Sequence, residues 1–190
     1  MLPVPIRVTL LVIDALEYLD VPYIIAGSLA SSVHGLARST NDSDLVADLQ
    51  VRHARPLVER LQADFYADEQ AILSAIQNQS SFNVIHLETM FKVDVFVPRY
   101  RNFDFLQLAR RQPYTLPSDP PRTIFVASPE DTILAKLEWY RMGGEVSDRQ
   151  WRDVLGIRSI QGKRLDEEYI RKMASELRLT DLVERLFSES

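Results

Sequence analysis

The segment Asp42-Ser43-Asp44-Leu45-Val46-Ala47-Asp48-Leu49 alternates with a period of two. Leu45, Ala47 and Leu49 fall on one parity, and Asp42, Asp44, Val46 and Asp48 on the other. Successive side chains of a strand leave opposite faces, so the segment predicts a strand with one apolar face and one acidic face. Carboxylates without partners resist burial, and such a strand therefore belongs in a sheet whose helices cover one face only. With the order of strands and helices along the chain, the expected class is α+β.

The flanking sequence fits this plan. Val8, Leu11, Val12, Ala15, Leu16 and Leu19 recur at helical spacing. The run 21–26 is short, apolar and β-branched, and Gly27-Ser28 breaks it before a helix over 29–36. Helices are expected over 54–61 and 71–77, and strands over 64–68, 82–87 and 91–97, the last two as a hairpin. Val93, Val95 and Val97 share one face of the final strand of that hairpin; Lys92, Asp94 and Phe96 share the other. Prolines 113, 117, 120 and 121 predict a loop before a short strand over 123–126. From Ser128 the pattern is helical. Ser128-Pro129-Glu130-Asp131 and Ser147-Asp148-Arg149-Gln150 open helices, and Gly143-Gly144 closes the first. Asp166 and Thr180 are expected to cap helices over 167–177 and 181–187. The expected architecture is a mixed β-sheet with helices on one face over residues 1–126, and a C-terminal α-helical subdomain over 127–190.

Composition removes several chemistries. With 190 residues, 46% hydrophobic and 26% charged, the chain has a globular balance. The lack of cysteine excludes thiol nucleophiles, Cys-ligated zinc, Fe–S clusters and disulfides. A net charge of 22 − 27 = −5 argues against coating nucleic acid through bulk charge. The lack of cysteine fits a cytoplasmic location. The apolar stretch 6–16 is interrupted by Arg7, Thr9 and Asp14, so neither a signal peptide nor a membrane span is expected. His34, His53 and His86 lack ligand spacing.

Chemistry then has to rest on carboxylates. Asp42 and Asp44 leave the same strand face with Cβ atoms roughly 6.5 Å apart. Asp94 lies opposite the valines on a second strand. Three acids on one face repel unless a cation neutralises them, and Mg2+, with Mn2+ as an alternative, takes all-oxygen ligands while leaving positions for water and phosphate. Asp-x-Asp alone is also common at strand ends and turns. Gly27-Ser28, where a strand passes into a helix, offers free N–H groups and a hydroxyl to a phosphate; as an ordinary serine N-cap it would look the same.

Together these residues resemble the nucleotidyltransferase superfamily that includes DNA polymerase β and the small aminoglycoside nucleotidyltransferases. Its pattern of Gly then Gly or Ser, a spacer, Asp-apolar-Asp/Glu and a later third acid is filled by Gly27-Ser28, 13 intervening residues, Asp42-Ser43-Asp44 and Asp94. Ser43 stands where the superfamily usually has Ile, Leu or Val. Arg38-Ser39-Thr40 looks like the Arg-x-Thr that precedes the acid pair in bacterial AbiEii-type and related nucleotidyltransferases. Lys136 and Asp153 look like the Lys and Asp that those relatives carry on two later helices. The resemblance implies that Asp42, Asp44 and Asp94 are catalytic and bind metal, and that Gly27, Ser28, Arg38, Lys136 and Asp153 bind nucleotide. By spacing alone, Arg38 fits a helix-capping role, Lys136 a snorkelling surface lysine, and Asp153 an exposed pair with Arg149.

The implied reaction moves an NMP from an NTP to an acceptor with release of pyrophosphate, the acceptor being a small molecule, tRNA or protein. A toxin that nucleotidylates tRNA and has a cognate antitoxin is one alternative. A catalytically silent nucleotide-binding or scaffold domain is another. The stretch 97–116 carries Arg99, Arg101, Arg110 and Arg111 against Asp104, with Tyr100, Phe103 and Phe105 between them. It fits an RNA-steering surface, or a helix that turns Phe105, Leu106 and Leu108 inward.

Overall fold

The computed structural model describes residues 2–189, which fold as two compact units. The first takes the chain up to Ala26 and Ser39–Val126; the second takes Gly27–Arg38 and the chain from Ala127 onward. The expected division at residue 126 thus misses one segment, because Gly27–Arg38 packs among the C-terminal helices.

The first unit is built on a seven-stranded mixed sheet in the order β3-β4-β5-β2-β1-β7-β6. Its strands are β1 (Tyr23–Ile25), β2 (Asp42–Ala47), β3 (Phe65–Tyr66), β4 (Ser81–His86), β5 (Lys92–Phe96), β6 (Gln112–Leu116) and β7 (Arg122–Val126). β2 runs antiparallel to β1 and parallel to β5, and β4 and β5 form the expected antiparallel hairpin. Helices α1 (Val4–Tyr18), α3 (Val51–Leu61) and α4 (Glu69–Asn78) belong to this unit, with α1 on β2, α4 on β4 and α3 against both helices. They bury the face that carries Leu45, Val84, Val93 and Val95.

Ser43, the polar residue in that apolar row, is fully buried. Thr9 of α1 explains it. The Thr9 hydroxyl oxygen lies 2.7 Å from the Pro5 carbonyl and 2.8 Å from Ser43 Oγ. With the one Thr9 proton given to the carbonyl, Ser43 donates the second bond. A serine in the strand therefore matches a threonine in the helix above it, and neither hydroxyl is left unsatisfied.

Two expectations fail in the first unit. The proline-rich stretch contains the strand β6, not only a loop. β6 lies at the sheet edge, where Pro113 is tolerated and where four of its five residues face solvent, so it carries no apolar period. Helix α5 (Asn102–Ala109) forms, but it buries Phe103, Asp104 and Gln107 while Phe105 is half exposed beside Tyr100. The ion pair between Arg101 and Asp104 fixes the first turn of that helix and with it the face turned inward.

The second unit is helical: α2 (Gly27–His34), α6 (Pro129–Met142), α7 (Asp148–Gln161), α8 (Glu167–Leu177) and α9 (Thr180–Ser188). Ser128, Ser147 and Asp166 each accept a bond from the backbone N–H three residues on, as N-caps do. Thr180 is the first residue of α9 and Leu179 holds the cap position, without a side-chain bond. Ile133, Leu134, Leu137, Val154, Ile157, Ile170 and Met173 make the core. Buried Asp131 accepts from the Tyr169 hydroxyl at 2.6 Å, and Glu130 accepts from the Asp166 backbone at 3.1 Å, so polar contacts as well as packing join α6 to α8. Among the described residues no helix is long and apolar enough to cross a membrane.

Gly35 marks a close backbone approach in this unit. A Cβ there would lie 2.8 Å from the Ile157 nitrogen and 3.0 Å from the Gly156 carbonyl carbon, both backbone atoms of α7. At Gly156 a Cβ would meet the Leu36 side chain at 3.4 Å, which has room to turn. Gly35→Ala is therefore expected to destabilise the protein by about 1–3 kcal/mol and Gly156→Ala by distinctly less. Thermal and urea denaturation of the two variants check the order.

Candidate active site

The parallel register of β2 and β5 sets Asp42 beside Lys92 and Asp44 beside Asp94. Partners in a parallel register point the same way, and residues two apart share a face. All four charged side chains therefore lie on the sheet face opposite Ser43, Leu45, Val93 and Val95. The structure thus sets on one sheet face the three carboxylates that the sequence singles out. Thr40 Oγ1 lies 2.9 Å from Asp42 Oδ1, and the Ala26 N–H donates to the Asp44 carbonyl at 2.9 Å, which fixes the start of β2.

Two unit charges about 5 Å apart repel by about 3 kcal/mol at an effective dielectric of 20, so this face needs positive charge. Lys92 supplies it. Its Nζ lies 2.7 Å from Asp94 Oδ2. The hydrogen bond with Asp94 holds the ammonium above the usual lysine range against some desolvation, and the charges of Asp94, Asp42 and Asp44 add to it. Sequence reasoning overlooked Lys92 as a site residue, although it shares the parity of Asp94. Asp42, Asp44 and Asp94 offer the oxygen donors that Mg2+ or Mn2+ takes. Among the described residues, however, no three His, Cys, Asp or Glu side chains are gathered into a ready metal cage, and Asp94 is engaged by Lys92.

In the second unit four further candidates meet. Asp153 on α7 is the acceptor at the centre. Arg38 Nε donates to its Oδ1 at 3.1 Å, Arg38 Nη2 to its Oδ2 at 3.1 Å, and Lys136 Nζ to Oδ2 at 2.8 Å. Arg38 Nη2 also donates to Ser28 Oγ at 2.5 Å. Lys136 is buried, not a snorkelling surface lysine, and the partners of Asp153 are Arg38 and Lys136, not Arg149. Gly27, next to Ser28, opens α2 with φ of +55°, in the left-handed region that glycine enters without strain. Asp153 holds the α6 lysine and the Arg38 guanidinium in place. An open cleft of about 660 Å³ elsewhere in this unit, lined by Arg158, Lys163 and Arg171 among others, includes none of these residues.

The histidines have local partners. Neutral His34 donates from Nε2 to the Ala127 carbonyl at 2.6 Å, His53 Nδ1 accepts from the Gln50 N–H, and His86 Nδ1 pairs with Thr89. Burial holds His34 below its usual range, as a ring that donates to a carbonyl while neutral requires.

Burial pushes the Asp153 carboxyl up, but the bonds and charges of Arg38 and Lys136 outweigh it and hold the group below the ordinary carboxylate range. A depressed folded-state value stabilises the fold above the unfolded value and loses that contribution as pH falls through the folded one. Asp153→Asn is expected to cost roughly 2–4 kcal/mol at pH 7, because it leaves two mostly buried cations facing each other. The gap in melting temperature between the parent and this variant should close as pH falls below about 4. Melting curves from pH 7 to pH 3 measure both effects.

No family model and no curated protein matches the sequence. Solved structures do. The solution structure of the antibiotic-resistance factor ANT(2'')-Ia is 14% identical over 94% of this chain and 95% of its own, with a TM-score of 0.54. The crystal structure of ANT(2'')-Ia in complex with adenylyl-2''-tobramycin is 11% identical over 90% of this chain and 95% of its own, with a TM-score of 0.55. An antigenic nucleotidyltransferase-like protein from Paracoccidioides brasiliensis is 17% identical over 93% of this chain and 91% of its own, with a TM-score of 0.50. At such identities the likeness is one of architecture, and the chain has the nucleotidyltransferase fold.

Proposed function

We propose that the protein is a nucleotidyltransferase that moves an NMP from an NTP to an acceptor hydroxyl. The observation that carries this reading is the register of β2 with β5, which sets Asp44 beside Asp94 and keeps Asp42 on the same face of the nucleotidyltransferase fold. Asp42, Asp44 and Asp94 are the residues that would hold Mg2+ or Mn2+, which when bound supplies charge to the phosphates and acidity to the acceptor. Arg38 and Lys136, oriented by Asp153, are suited to triphosphate oxygens, and Ser28 with the N–H groups after Gly27 to a further phosphate. Asp94 takes the acceptor proton as the new O–P bond forms, and the bond from the α-phosphorus to pyrophosphate breaks. None of these side chains is set up as a covalent nucleophile, so the acceptor comes from outside.

A small hydroxylated acceptor is the reading that the adenylyl-tobramycin complex of ANT(2'')-Ia supports. A tRNA or protein acceptor, and with it a toxin role and an antitoxin partner, rests on the Arg38-Ser39-Thr40 resemblance.

The test is incubation with each α-labelled NTP, Mg2+ or Mn2+, and separated pools of small molecules, RNA and protein. Labelled product is expected in one pool. Asp44→Asn is expected to lower the rate at least a hundredfold, and Lys136→Met to weaken NTP binding about tenfold or more. Equal transfer by Asp44→Asn would sink the proposal.

A further inference from the structure

The open cleft of about 660 Å³ in the second unit is left without a role by the proposed reaction. One wall is a face of α7, where Leu155, Ser159 and Gly162 recur at helical spacing with Arg158 beside them. Arg158 stands five residues after Asp153, roughly 140° further around the helix, so the cleft opens on a different face of α7 from the one that meets Arg38 and Lys136. Arg171 of α8 and Phe187 of α9 also line it. The Arg158 and Arg171 guanidiniums lie 5.8 and 5.1 Å from the centre of the same Phe187 ring, hence at most about 11 Å apart. Hydrogen bonds from Arg158 go to neutral groups, the main-chain carbonyls of Phe187 at 3.2 Å and of Glu189. Glu189 also lines the cleft, but its carboxylate accepts from Arg185 at 2.9 Å and from the Trp151 indole at 3.1 Å. Lys163 is exposed and has no hydrogen-bond or ion-pair partner among the described residues.

We propose that this cleft binds an oligophosphate anion, free or carried by a nucleoside, with its phosphates among Arg158, Lys163 and Arg171. Guanidinium forks match phosphate oxygens in geometry, and a partnerless lysine adds a point charge that can turn to meet them. Two linked phosphates reach across the gap between the guanidiniums, where a single carboxylate does not. Arg171 meets Glu184, and Glu167 at 3.8 Å, in exposed pairs that are weak enough for a phosphate to take over. Leu155 and Phe187 add apolar surface, and the volume falls in the range of small-molecule sites. The cleft draws on none of Arg38, Lys136 and Asp153, so the proposal stands apart from nucleotidyl transfer.

Sodium pyrophosphate and ATP, titrated separately and without divalent ions into isotope-labelled protein, test this through amide chemical shifts. Saturable shifts are expected at Ser159, Gly162 and Lys163. Lys163→Glu is expected to weaken binding there about tenfold or more, Arg171→Gln about threefold or more, and Lys163→Arg less than about twofold. Lys163 has no pair to break, so its variants keep the parent's amide spectrum away from the cleft. ATP binding no tighter than pyrophosphate assigns the cleft to a free oligophosphate, and tighter ATP binding to a nucleoside-borne one. The proposal is overturned if neither ligand shifts these amides at millimolar concentration, if the shifts are confined to residues around Arg38 and Lys136, or if Lys163→Glu binds as the parent does. Sodium acetate binding as tightly as pyrophosphate also overturns it, since the cleft would then be a cationic surface that selects no phosphate.

Discussion

The pairing of β2 with β5 is the constraint from which the rest of the first unit follows. A parallel register that sets Asp44 beside Asp94 gathers negative charge on one face, and the same register lines Ser43, Leu45, Val93 and Val95 along the other. A slip of one residue would turn every one of these side chains to the wrong face, placing the aspartates under α1. The register is held because the apolar row is buried by helices and because Thr9 finds Ser43 in it. Packing on the covered face thus positions charge on the open one, and the stability of the first supports the electrostatic strain of the second.

A different solution to charge operates in the second unit. Arg38 and Lys136 are cations of limited exposure, and burial of either without a partner would be strongly unfavourable. Asp153 offsets both. The donors are held in place, since Arg38 is bonded to Asp153 and Ser28 and Lys136 to Asp153. An array of this kind has already lost the side-chain entropy that a phosphate would otherwise have to take from it.

The sequence revealed much of this because period and capping are local. The alternation at 42–47, the hairpin of β4 and β5, and the caps at Ser128, Ser147 and Asp166 are written in neighbouring residues. What stayed hidden depends on distant ones. Helix α2 reads as part of the α/β half by position, yet Gly35 fits against the α7 backbone more than a hundred residues away. β6 lacks an apolar period because an edge strand facing solvent needs none. Phe105 looks like a core residue, but the Arg101–Asp104 pair fixes the face of α5 differently. Asp153 reads as the partner of Arg149, four residues earlier, while its partners come from α6 and from the segment after α2. Lys92 was visible in the parity of β5; what hid it is that a lysine on a solvent face is usually only solvated.

The two lysines that meet aspartates here differ in solvent exposure, which sets how firmly an ion pair holds. Lys136 and Asp153 are each 9% exposed at the side chain, so breaking their pair strands a charge in a medium that solvates it poorly. Lys92 is 41% exposed, and water takes over its solvation when it leaves Asp94, so the net worth of that pair is at most about 1 kcal/mol. A pair of the first kind holds its geometry. A pair of the second kind contributes little and is easily broken. The exposed pair lies on the carboxylate face, and the buried pair joins α6 to α7. Solvent exposure of the lysine thus decides which ion pair holds and which gives way, although each is the same ammonium on the same carboxylate.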